Sequence, residues 1–187
     1  MNNIKFVIIL SVICFCSNAC SNKKQSIKYV SINVSQLKQI IQTDTSNYKI
    51  VIFYDPLCES CDDYIRTVYK TLINKLHSES TRIYLIASQL NKPGIESIFR
   101  KNNIKLPAYY NIDSIYSFSK NDLHQIVKLI FPDINKIETF DVPFSLIIDK
   151  KNKLKTIKHK NENNEVEIYP LDLYDLKEIS LTEIDKF

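Results

Sequence analysis

One short stretch constrains this chain more than any other. Tyr48–Tyr54 (YKIVIFY), a run of β-branched and aromatic residues, is stopped by Asp55-Pro56 and followed by Cys58-Glu59-Ser60-Cys61. Such a run reads as a strand buried on both faces. After Cys58, residues Cys61, Ile65, Val68, Leu72 and Leu76 form one stripe at helical spacing, widened by Tyr64 and Tyr69. A dithiol therefore sits where a buried strand hands over to an amphipathic helix. The first cysteine lies at the helix N-terminus, where unpaired N–H groups and the helix dipole favour an anion. A thiolate is the nucleophile of disulfide exchange. The second cysteine lies a turn later, more sheltered and close enough to close a small disulfide ring. Cys58 is thus read as the attacking thiol and Cys61 as the resolving one.

The rest of the chain supplies a frame for that junction. Val34 to Gln42 has helical spacing, Thr81 to Ala87 (TRIYLIA) reads as a second buried strand, and Pro93 to Asn102 suits a short helix with proline in its first turn. Leu106 to Ile112 fits an extended segment, Lys120 to Ile130 a helix, and Phe144 to Asp149 a third buried strand. Leu154 to His159 alternates like an edge strand joined by a turn at Lys150 to Lys153, and Leu171 to Phe187 looks like a terminal helix. Alternating strands and helices predict an α/β layered domain. Gly94 is the one glycine in 187 residues, so turns must lean on Asn, Asp and Pro.

The N-terminus carries an export signal. Lys5 is followed by the apolar stretch Phe6 to Phe15, then by Ser17, Asn18 and Ala19. The apolar run is short for a permanent membrane span. Cys20 after Ala19 resembles the lipidation site of bacterial lipoproteins, although Ser17 stands where such sites usually carry Leu. Ser17-Asn18-Ala19 also suits ordinary secretory cleavage. The expected division is a signal peptide over 1–19, a lipid anchor and polar tether over 20–33, and a folded domain over 34–187. Cys14 and Cys16 leave with the signal. Cys58 and Cys61 are then the domain's only cysteines, in an exported compartment that permits disulfides.

The layout resembles the thioredoxin superfamily, and within it the membrane-anchored thioredoxin-like lipoproteins of the TlpA and ResA kind. The resemblance is carried by Ile50 to Cys61 (IVIFYDPLCESC) and Asp141 to Asp149 (DVPFSLIID). It implies a thioredoxin-like fold with a central mixed β-sheet flanked by helices. It also implies a cis-proline at Pro143, facing the cysteine pair, and a backbone at Val142 that guides a substrate chain beside Cys58. Leu57 stands where thioredoxins usually carry Trp, and joins Val142 and Pro143 as an expected substrate contact. The gap of 82 residues from Cys61 to Pro143 implies a helical insertion over about 93–131. The buried acid that assists small thioredoxins has no clear counterpart. The implied activity is extracytoplasmic thiol–disulfide exchange with protein thiols or disulfides. It implies no organic cofactor beyond the Cys58–Cys61 pair, a membrane or periplasmic redox partner, and attachment to a membrane through lipid on Cys20.

Other readings fit the same residues. Cys58 and Cys61 would also serve as a structural disulfide, leaving a tethered binding module. With one of His77, His124 and His159 they would also suit copper handling. A zinc site needs more ligands than the pair offers. A net charge of +4 without a basic block gives no argument for nucleic acid. Asp55, Glu59, Asp62 and Asp63 surround the pair and disfavour a thiolate. They predict a Cys58 less acidic than in strongly oxidising members of the family, and a pair that leans towards reduction or isomerisation.

Overall fold

The computed structural model describes residues 26–75, 81–112, 118–132, 142–160 and 166–170. The export signal, Cys20, Leu76 and the expected terminal helix over 171–187 lie outside the described residues.

The run Tyr48–Tyr54 is the central strand β2 of a five-stranded mixed sheet. The other strands are β1 (Tyr29–Ile32), β3 (Thr81–Ala87), β4 (Ala108–Asn111) and β5 (Phe144–Asp149), in the order β1-β4-β3-β2-β5. All neighbours are parallel except β5, which runs antiparallel to β2 with Phe53 opposite Phe144. Among the described residues, four helices cover the sheet: α1 (Val34–Thr43), α2 (Glu59–Lys75), α3 (Lys92–Lys101) and α4 (Lys120–Ile130). A separate hairpin pairs β6 (Thr156–Lys160) with β7 (Val166–Pro170).

Two layers of side chains explain why β2 is continuously apolar from Ile50 to Tyr54 rather than alternating. Successive strand residues point to opposite faces. Ile50, Ile52 and Tyr54 pack with Cys61, Tyr64, Ile65 and Val68 of α2 and with Ile95, Ile98 and Phe99 of α3. Val51 and Phe53 pack with Leu37 and Ile41 of α1 and with Leu123, Val127 and Ile130 of α4. Val51, Ile52, Phe53 and Tyr54 are all 0 % exposed. Burying an apolar side chain such as Val51, Ile52 or Phe53 stabilises the fold by about 1.5–3 kcal/mol. Capping boxes start α1, at Asn33 with Gln36, and α4, at Ser119 with Asp122.

Asparagine does the work that glycine does elsewhere. Asn103 and Asn152 hold positive φ, at 51° and 59°, a region that asparagine tolerates better than most residues. Asn152 also accepts a hydrogen bond from the buried Lys49, whose ammonium donates to the Asp149 carbonyl at 3.3 Å as well.

Three boundaries differ from the sequence reading. The sheet starts before residue 34: Tyr29–Ile32, within the stretch assigned to the tether, pairs with β4. It is an edge strand of four residues (YVSI) with one fully buried side chain, Ile32, too short a run to stand out beside the polar tether. The expected edge strand at Leu154 to His159 touches β5 only through the Ile148–Leu154 bridge, then leaves to pair with β7. The insertion over 93–131 is not wholly helical, because it delivers β4 into the parallel sheet between β1 and β3.

Candidate active site

The parallel strands bring their C-terminal ends to one edge of the sheet, and β5 begins at that edge. Tyr54 ends β2, and Asp55 to Cys58 then form a tight turn. The Cys58 N–H donates to the Asp55 carbonyl at 3.1 Å, and the Leu57 N–H donates to Asp55 Oδ1 at 2.8 Å. Asp55 thus ends the strand with its carboxylate folded back onto its own turn. The Cys58 carbonyl accepts from the Asp62 N–H at 3.3 Å, which makes Cys58 the cap residue of α2, just before its first helical residue.

The two thiols, both free, occupy different environments. Cys58 is half-buried, and its Sγ lies 2.9 Å from the Ser60 hydroxyl. Burial pushes the Cys58 thiol up. Hydrogen bonds from the Ser60 side chain, from the Cys61 backbone and thiol, and from the Ser60 backbone outweigh it and hold the thiol below its ordinary value. Cys61 is 0 % exposed and belongs to the core cluster beneath the sheet edge. Burial pushes its thiol up to about 12; the Asp55 N–H, donating to Cys61 Sγ at 3.4 Å, acts the other way. One thiol is poised to ionise and meet a partner. The other is held protonated in the interior beside it.

Three of the four flanking carboxylates are turned to other partners, and the charge of Asp55 adds to the rise of Cys61. Asp62 accepts from Lys101 at 2.9 Å and from Asn102 at 3.3 Å, and Asp63 pairs with Arg66 at 2.7 Å. Asp55 is turned to its own loop. Local hydrogen bonds to Cys58 set the direction of its shift, downward from the ordinary value.

Val142 and Pro143 immediately precede β5, and the Val142–Pro143 peptide is cis. Phe144 pairs with Phe53, so both residues stand at the sheet edge from which Asp55 and Cys58 emerge. Val142 packs against the same cluster as Cys58 and Cys61. Leu57 is 68 % exposed, an unusual position for a leucine, next to the attacking thiol. Sequence reasoning missed Ser60 as the partner of the Cys58 thiol; its hydroxyl within the dithiol motif was the available signal. Among the described residues, no three His, Cys, Asp or Glu side chains gather as a metal site.

No known family's sequence profile matches the chain, and no curated protein matches it in sequence. Solved structures do resemble it. A domain of a possible thiol-disulfide isomerase from Cytophaga hutchinsonii is 13% identical, over 77% of this chain and 79% of that one, with a TM-score of 0.48. A thiol:disulfide interchange protein from Chlorobium tepidum is 15% identical, over 75% and 81%, with a TM-score of 0.45. A secreted Mycobacterium tuberculosis disulfide oxidoreductase homologous to E. coli DsbE is 12% identical, over 75% and 82%, with a TM-score of 0.40. The fold assignment rests on the chain's own topology. A buried strand runs into a dithiol at a helix start, parallel strands lie to one side, and an antiparallel strand follows a cis-proline on the other: the chain has a thioredoxin-like fold.

Proposed function

We propose that this chain is an extracytoplasmic thiol–disulfide oxidoreductase, held at a membrane by lipid on Cys20. The observation that carries the reading is the asymmetry of the pair. An accessible thiol held below its ordinary value stands beside a fully buried one at about 12. A structural staple needs no such difference; exchange does.

In the reducing direction, the Cys58 thiolate attacks one sulfur of a partner protein's disulfide. The partner's S–S bond breaks, a mixed disulfide forms, and the second partner sulfur leaves as a thiolate. Cys61 then loses its proton and attacks Cys58 Sγ. This closes the Cys58–Cys61 disulfide and releases the partner's first sulfur as a thiol. The partner gains two electrons and the pair loses two; a membrane or periplasmic dithiol partner restores them. The oxidising direction is the same path reversed. No organic cofactor enters. Leu57, next to Cys58 in the chain, and Val142 and Pro143, at the same edge of the sheet, guide the partner chain. Support for export is the N-terminal signal pattern ending at Cys20.

The test is a Cys61→Ser variant, which retains the attacking thiol and lacks the resolving one. Exchange predicts mixed disulfides between Cys58 and partner proteins, released by dithiothreitol and absent from the Cys58→Ser, Cys61→Ser double variant. A variant that traps no partner under oxidising conditions contradicts the proposal.

A further inference from the structure

The chain's one glycine is in an unexpected place. Gly94 lies in the first turn of α3, and helices disfavour glycine. Its role is close approach. A Cβ at this position would lie 2.5 Å from the Pro56 carbonyl oxygen and 3.0 Å from Pro56 Cβ. Pro56 is buried and is the second residue of the turn that delivers Cys58. The other end of α3 reaches the far side of the dithiol, where Lys101 and the capping Asn102 donate to Asp62. Helix α3 therefore brackets the Cys58–Cys61 segment, touching the residues before and after it.

We infer that Gly94 is a positioning residue for Cys58: lacking a Cβ, it lets α3 seat directly on the Pro56 peptide and so sets how Cys58 enters α2. The helix cannot retreat to make room for a side chain. Ile95, Ile98 and Phe99 anchor it in the same cluster that holds Cys61, and closely packed interiors resist displacement. The Pro56–Leu57 peptide must yield instead. It is joined directly to the hydrogen-bonded groups of the turn and, one residue on, to Cys58. The hydrogen bond between Cys58 Sγ and Ser60, and those from the first amides of α2, depend on that entry.

This inference rests on the reading of Cys58 as the attacking thiol, but its readout needs no turnover. The reduced full-length protein is alkylated with iodoacetamide across pH, and modification of Cys58 is followed by peptide mass. Gly94→Ala adds the clashing Cβ. Asn91→Ala removes the side chain that accepts from the Gly94 N–H at 2.9 Å, and loosens the same turn without added volume. Ser119→Ala removes a comparable cap from α4, on the opposite face of the sheet. The expected result is an upward shift of the Cys58 profile in Gly94→Ala, with alkylation at neutral pH slower by about threefold or more. Asn91→Ala shifts the same way to a smaller extent, and Ser119→Ala follows the wild type. Where Gly94→Ala does not fold, Asn91→Ala decides. A wild-type profile in the folded variants overturns the inference, as does an equal shift in Ser119→Ala.

Discussion

The two thiols of the reduced protein should react at very different rates, and the structure sets the size of the gap. A buried thiol at about 12, as for Cys61, carries about a thousandfold less thiolate at neutral pH than an ordinary cysteine. A more basic thiolate is intrinsically more nucleophilic, with a Brønsted slope of about 0.4–0.5, which returns a factor of about fifteen to thirty. The net deficit from ionisation alone is about thirty- to sixtyfold. It is a lower bound for two reasons. Cys58 is held below its ordinary value, and Cys61 is 0 % exposed, so the reagent must wait for the site to open. The assay is timed iodoacetamide labelling of the reduced protein near neutral pH, with each cysteine quantified by peptide mass. Cys58 should label to completion before Cys61 is detectably modified, and denaturant should remove the difference. Equal rates in the folded protein, or Cys61 labelling first, would refute the assignment of roles.

Ser60→Ala removes the hydroxyl 2.9 Å from Cys58 Sγ and should move the Cys58 alkylation midpoint upward; an unchanged midpoint would mean the backbone amides alone hold the thiolate. Two buried tyrosines should respond oppositely to loss of the hydroxyl. Tyr64→Phe breaks a buried hydrogen bond to Ser145 at 3.0 Å and should cost about 1–2 kcal/mol in urea unfolding. Tyr54→Phe deletes a buried hydroxyl that has no partner among the described residues and should be neutral or stabilising. Stability should also depend on redox state at high pH. The folded value of Cys61 lies above its unfolded one, so its contribution is complete below the unfolded value and is lost as pH rises towards about 12. Cys58 is shifted down and acts in the opposite, weaker sense, adding stability above its unfolded value. Thermal unfolding from about pH 9 upward should therefore show the reduced protein losing stability faster than the disulfide form, which has neither thiol to titrate.

Much of the central sheet was legible because its strands are buried on both faces and sharply bounded. Tyr48–Tyr54, Thr81–Ala87 and Phe144–Asp149 match their apolar runs residue for residue, and Lys120–Ile130 matches its helical stripe. What escaped notice lies where sequence signal is weak or contacts are distant. Tyr29–Ile32 is an edge strand with a single fully buried side chain, Ile32. Val166–Pro170 alternates well enough to be read, but its partner is the strand that was expected to stay beside β5. The dithiol was plain from its place between strand and helix. The hydrogen bonds that make Cys58 the more acidic thiol were not, because counting nearby carboxylates ignores where each one turns. Asp62 is engaged by residues some forty positions away, and no local reading supplies that. Gly94 posed the same difficulty: its scarcity was visible, but its contact with Pro56 was not.

The measurement that bears most directly on the central claim is a redox titration of the purified protein. It would be equilibrated across dithiothreitol buffers of graded poise, and the free thiols counted by alkylation and mass. The account predicts one reversible two-electron transition in which Cys58 and Cys61 appear and vanish together, in the native state. Thiols that never pair, or a disulfide that reduces only in denaturant, would contradict it.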